Sequence, residues 1–148
     1  MFSRQQARGI IMNAYTYEEI EVGHKESFVV KVTKEDMDRF REITGDINPL
    51  HRDETYAREK GHESCVVFGM LTASYLSTLA GVYLPGERSL IHSVNTKFSG
   101  AVYVGDELTI EGTVKEKNDT FRFIVVKVLI KNQKGEKVLK AEMQIGVE

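Results

Sequence analysis

The stretch "GMLTASYLSTLAGVYL", from Gly69 to Leu84, carries no charged side chain, and it constrains the chain more than any other feature. With Val66, Val67 and Phe68 ahead of it, it forms the longest apolar stretch of the sequence and runs directly into Pro85-Gly86. Rich in Leu, Ala and Ser, it reads as a helix buried on nearly all sides. A small domain can bury such a helix only by wrapping other elements around it.

The C-terminal half offers the wrapping. "SLIHSVNTKF", "DELTIEGTVKEK", "TFRFIVVKVLIKN" and "KVLKAEMQIGVE" each alternate with period two and are rich in β-branched or aromatic residues. Turn signals separate them at Gly105-Asp106, Asn118-Asp119 and Gln133-Lys134-Gly135. "SFVVKV", Ser27 to Val32, reads as one more strand. The expected architecture is therefore α+β, an antiparallel sheet of about five strands around one long central helix.

Between the first strand and the central helix, Thr33 and Asp36 are spaced close to a capping box, and Met37, Phe40 and Ile43 form an apolar stripe behind them. Gly45 suits the end of that helix. A second short helix is expected from an Asp53 cap to Gly61, with Tyr56 and Ala57 inward. Residues 1–14 are expected to be a poorly ordered extension and 15–148 one domain. No repeat or proline-rich linker divides the chain.

Composition removes several function classes. At 148 residues, one domain has core enough without disulfides or structural metal. The net charge of -2 gives no support to a nucleic-acid partner. The single cysteine, Cys65, excludes an internal disulfide and a thiolate zinc cluster, and its apolar neighbours suggest a small buried hydrophobe. No apolar run approaches the roughly 20 residues that span a bilayer, and "MFSRQQARGIIMNAY" lacks a signal-peptide core, so no membrane and a cytoplasmic location are expected.

The remaining question is "TGDINPLH", Thr44 to His51, which gathers Asp46, Asn48 and His51 around a proline. Pro49 has no N–H and disfavours α conformation at Asn48, so no helix runs from Gly45 to His51. In an unbroken helix, Asp46 and His51 would sit about 140° apart around the axis. The break is thus a precondition for a carboxylate and an imidazole to converge on one water as an acid–base pair. On spacing alone a polar turn between two elements is the better explanation of the same residues, because Gly-Asp and Asn-Pro both favour turns. A calcium loop does not: counting from Asp46, the sixth position is His51 rather than Gly and the twelfth is Ala57 rather than Glu.

"FREITGDINPLHRDETYA", Phe40 to Ala57, resembles the hydratase-2 motif of the MaoC-like dehydratases and (R)-specific enoyl-CoA hydratases. That motif has an aromatic residue, a small residue with Gly-Asp-x-Asn-Pro-aliphatic-His, and a small residue six positions on. "FGMLTAS" and "KFSGAVYVGDEL" resemble the family's central helix and its later strand-turn-strand signature. The resemblance runs from about Tyr17 onward and implies a single hot-dog fold, with the sheet curled around the central helix. It also implies a trans-2-enoyl thioester substrate, on CoA or on acyl carrier protein, with no cofactor or metal.

On the same resemblance, Asp46 and His51 would activate water, Asn48 would help to position it, and the Gly69 amide would stabilise the enolate. Ser77, eight residues after Gly69 and hence on nearly the same helix face, would face the site or bond to its own helix. Two positions depart from the pattern. Phe68 stands where many members carry histidine, which bears on the acyl pocket or its entry, and Ala101 stands where proline is usual. His24, His62 and His92 match nothing catalytic. A homodimer is expected, because one hot-dog unit leaves a sheet edge and a helix face uncovered. The alternatives on the same fold are a 3-hydroxyacyl-ACP dehydratase, an acyl-CoA thioesterase and a non-catalytic acyl-binding subunit.

Overall fold

The computed structural model describes residues 11–148. Most of the predicted extension, residues 1–10, lies outside them. Asn13 and Ala14 are fastened to the end of the central helix: the Asn13 amide N–H donates to the Val82 carbonyl at 2.8 Å, and Ala14 bridges to Gly86.

Five antiparallel strands form one sheet: β1 (Lys25–Lys31), β2 (Ser89–Phe98), β3 (Glu107–Asn118), β4 (Phe123–Lys131) and β5 (Lys137–Val147). Their order across the sheet is β1-β3-β4-β5-β2. The three central strands come from one meander, so hairpin turns alone fix their register. Inward positions of β3 alternate strictly, with Leu108, Ile110, Gly112 and Val114 buried. Register shifts in the β2–β5, β3–β4 and β4–β5 ladders mark bulges that help the sheet to curl.

The concave side of the sheet holds the central helix, α3 (Gly69–Thr78), which follows α1 (Lys34–Thr44) and α2 (Glu54–Glu59) in the chain. The predicted uncharged run continues from α3 as one wider π turn, Leu79–Tyr83. Leu71, Leu76, Leu79 and Ala80 point into the core. A Cβ on Gly112 of β3 would stand 2.8 Å from Leu79 Cδ2 and 3.0 Å from Val126 Cγ1. A glycine there lets the helix settle onto the sheet.

Two expectations need correction. The central helix is not buried on nearly all sides, because Gly69, Met70, Ser74 and Ser77 form an exposed face. Ile43 is 81% exposed rather than part of the α1 stripe with Met37 and Phe40. Six residues beyond Met37, it is rotated by about 120° from that residue's face. The predicted capping box is present: Thr33 Oγ1 accepts from the Asp36 amide at 3.2 Å and Asp36 Oδ2 accepts from the Thr33 amide at 2.9 Å. Gly45 ends α1 with φ +73°, a left-handed conformation that favours glycine.

The free edge of β2 carries Leu90, Ile91, Val94 and Phe98, between 37% and 53% exposed. Four large apolar side chains on an unpaired edge are a template for further pairing.

Candidate active site

The site is assembled around the broken turn. After Gly45, the Asp46 amide donates to Thr44 Oγ1 at 3.2 Å, and Asp46 Oδ1 accepts from the Asn48 amide at 3.0 Å. Asn48 Oδ1 in turn accepts from the Leu50 amide at 3.0 Å, capping a 3-10 turn over Pro49–His51. Both predicted turn bonds and predicted site residues are therefore the same groups. Each side chain spends one oxygen on the backbone. The second carboxylate oxygen of Asp46 and the Asn48 amide nitrogen have no partner among the described residues. Asp46 is exposed.

His51 is held more tightly. The Leu50 carbonyl accepts from the Val66 amide at 3.1 Å, and His51 Nδ1 lies 2.7 Å from the Val66 carbonyl. A carbonyl oxygen only accepts, so Nδ1 carries the hydrogen in this bond. In the neutral ring, Nε2 is then the basic nitrogen. Val66 is itself anchored by a bridge to Tyr103, and the next amide, Val67, donates to Val102 at 2.7 Å. Sequence patterns give no signal for such a partner, because any residue at position 66 presents the same carbonyl.

The imidazole also packs on an aromatic ring. His51 and Phe68 have centroids 4.2 Å apart at 31°, and Phe40 flanks Phe68 at 4.9 Å. Phe68 is buried, and the residue after it, Gly69, opens α3. Thus the departure at position 68 lies against the predicted base.

The start of α3 is unusual for a helix. Its cap position is Phe68, which has no side-chain oxygen, and the first helical bonds are Leu71 and Thr72 amides donating to the Phe68 carbonyl at 3.0 and 3.2 Å. The Gly69 and Met70 N–H groups therefore have no acceptor among the described residues. Helix starts normally satisfy such donors with Ser, Thr, Asp or Asn. Two unpaired, oriented N–H groups with the positive end of the helix dipole behind them suit a developing negative charge. A Cβ on Gly69 would stand 3.2 Å from Phe98 Cε1, so Gly69 also allows β2 to close on the helix start.

Ser77 is exposed on the Gly69 side of α3, and its hydroxyl makes no bond to its own helix among the described residues. That bond belongs to Ser74, whose Oγ donates to Leu71 at 2.6 Å. Asp46 and His51 do not hydrogen-bond to one another among the described residues. Ala101, the other departure, is exposed.

Two of the three histidines set aside as non-catalytic have side-chain partners. His24 Nε2 is 3.2 Å from Glu26, and His92 Nδ1 is 3.0 Å from the Gln144 amide nitrogen. Burial pushes the Cys65 thiol pKa up, helped by Glu54 and Asp53, which opposes a reactive thiolate. No three His, Cys, Asp or Glu side chains gather to hold a metal, and no helix is long and apolar enough to cross a membrane, among the described residues. A cleft of about 700 Å³ on the outer face of the sheet has Lys97, Lys127 and Lys140 in its lining, which includes neither Asp46 nor His51.

Comparison with known proteins bears on the family and the fold. The chain is 37% identical over 92 residues to an (R)-specific enoyl-CoA hydratase of Aeromonas caviae, spanning 62% of this chain and 69% of that protein. It is 32% identical over 111 residues to an (R)-specific enoyl-CoA hydratase of Rhodospirillum rubrum, spanning 72% and 77%. Among solved structures, the R-hydratase PhaJ1 from Pseudomonas aeruginosa superposes with a TM-score of 0.86 at 28% identity, covering 93% of this chain and 87% of that one. The (R)-hydratase of A. caviae superposes with a TM-score of 0.85 at 30% identity, covering 88% and 99%. These neighbours bear out the hot-dog α+β architecture. With residues 18–135 matching the MaoC like domain, the chain belongs to the MaoC-like family.

Proposed function

We propose that the protein catalyses reversible syn hydration of a trans-2-enoyl-CoA to the (R)-3-hydroxyacyl-CoA, with Asp46 and His51 as the acid–base pair. The observation that carries this reading is the meeting of an oriented imidazole with an uncapped helix start, through the Phe68 ring 4.2 Å from His51 and one residue before Gly69. One water is held between Asp46 and His51 Nε2. Nε2 takes a proton as the water oxygen adds to C3, and the π electrons move through C2 onto the thioester oxygen. The Gly69 N–H stabilises that enolate. The imidazolium then returns the proton to C2 on the same face, so one water is added in all. Asn48 helps to position the water, and Ser77 lines the same helix face.

The substrate class is carried over from relatives named (R)-specific enoyl-CoA hydratase and, in Methylorubrum extorquens, 3-hydroxybutyryl-CoA dehydratase. A homodimer belongs to the same proposal. In one chain the helix start is open to water, which weakens the electrostatic stabilisation an enolate needs. The apolar β2 edge and the exposed Met70 offer a second copy the surface that would cover it.

The test is hydration of crotonyl-CoA and longer trans-2-enoyl-CoA esters, followed by loss of enoyl absorbance, with size measured in solution. Wild type is expected to consume at least one ester and to run as a dimer. No turnover at any chain length sinks the CoA reading.

A further inference from the structure

We propose that Phe68 is a positioning residue, the common abutment that sets the His51 imidazole and, through Phe40, the Asp46 turn. The inference rests on the acid–base reading above and adds a residue to it.

The Val66 carbonyl fixes one point of the His51 ring, its Nδ1, at 2.7 Å. One hydrogen bond does not fix the plane of an imidazole, because rotation about the bond to the ring is broad. The second restraint is the Phe68 face, 4.2 Å from the His51 centroid and inclined at 31°. That ring is itself immobilised, being 2% exposed and backed by Phe40 at 4.9 Å. Its lack of any polar atom also matters. Phe68 cannot compete with the Val66 carbonyl for Nδ1–H or with water for Nε2.

The same ring reaches the acid. Phe40 touches Phe68 with its side chain, while its carbonyl accepts from Thr44 Oγ1 at 2.9 Å. Thr44 Oγ1 then accepts from the Asp46 amide at 3.2 Å, and Asp46 Oδ1 from the Asn48 amide at 3.0 Å. An unbroken series of contacts therefore runs from Phe68 to the Asp46 carboxylate. Along the backbone, Phe68 is the cap of α3 and the direct neighbour of the Gly69 amide. Base, acid and enolate donor are thus each one or a few contacts from a single buried ring. A side chain that merely filled the core would affect stability and leave the orientation of the imidazole alone.

The test uses the full chain with Phe68→Leu and Phe68→Met, the second filling similar volume without a flat face. Two quantities are read: steady-state hydration of crotonyl-CoA, and the ring-nitrogen NMR shifts of His51, assigned by comparison with His51→Gln. Wild type is expected to show one neutral tautomer with hydrogen on Nδ1. The variants are expected to lose about 10²-fold in kcat with KM changed less than about twofold, as for a reactive group misplaced by about 1 Å. Their His51 signals are expected to move toward a mixture of tautomers. Either a Phe68→Met enzyme with wild-type kcat, or one whose His51 keeps the single Nδ1–H tautomer, overturns the proposal. If Phe68→Leu fails to fold, Phe68→Met decides alone. If wild type hydrates no enoyl thioester, the functional reading fails, and the tautomer comparison still decides whether Phe68 sets the ring.

Discussion

The two ends of the central helix are built on opposite terms. At the far end, Leu84, Pro85 and Gly86 are buried and the free carbonyls are taken up. Val82 accepts from the Asn13 amide at 2.8 Å, Tyr83 from Asn13 Nδ2 at 2.9 Å and Ala80 from the Gly86 amide at 2.9 Å. At the near end, Gly69 and Met70 are exposed residues whose N–H groups have no acceptor among the described residues. A helix satisfied at one end and unsatisfied at the other separates the part that holds the fold from the part available for chemistry.

Substitutions that act on one end alone should break this contrast or sharpen it. The largest effect is expected at the near end, where Asp46→Ala and His51→Ala should each lower kcat for enoyl hydration by about 10²- to 10⁴-fold. The melting temperature should stay near wild type for the exposed Asp46, while His51→Ala should also cost about 1 kcal/mol through the lost bond to Val66. An unimpaired Asp46→Ala enzyme would remove the site assignment.

Gly86→Ala should do the reverse. Its φ is +90° and a Cβ would fall 1.9 Å from the Asn13 carbonyl oxygen, so a loss of about 2–3 kcal/mol is expected in denaturant titration. Turnover per folded molecule should persist. Gly69→Ala should lower kcat roughly tenfold by crowding both thioester and Phe98, while stability moves by less than about 1 kcal/mol. A fall in stability without a fall in rate would make Gly69 a packing residue only. Asn13→Ala should cost about 1 kcal/mol through the lost bond to Tyr83, and kcat should not change. Among the near-end substitutions, Ser77→Ala is expected to change kcat least, by less than about fivefold, in keeping with one neutral hydrogen bond at most.

The sequence makes the sheet easier to read than either end of the central helix. Strand alternation is a local property, and "SLIHSVNTKF" coincides with β2 residue for residue. The helix stop at Gly45 was legible for the same reason. The π turn over Leu79–Tyr83 was not, because apolar content does not reveal which carbonyl an amide reaches. At the site, the motif pointed to Asp46, Asn48 and His51 as candidates. It could not show that His51 leans on Phe68, since the two residues are seventeen positions apart and meet only through tertiary packing. Periodicity also overstated the burial of α3, because Ala and Ser suit either an interior or an interface.

The missing side chain at Gly112 has a mechanical consequence. Leu79 rests on that bare backbone, and Gly69 lies ten residues away, about 15 Å along the helix axis. A methyl group at position 112 would enter Leu79 at 2.8 Å. A tilt of only about 4° at that point would carry the Gly69 amide about 1 Å. The seat of the helix on the sheet thus depends on the absence of one methyl group from β3.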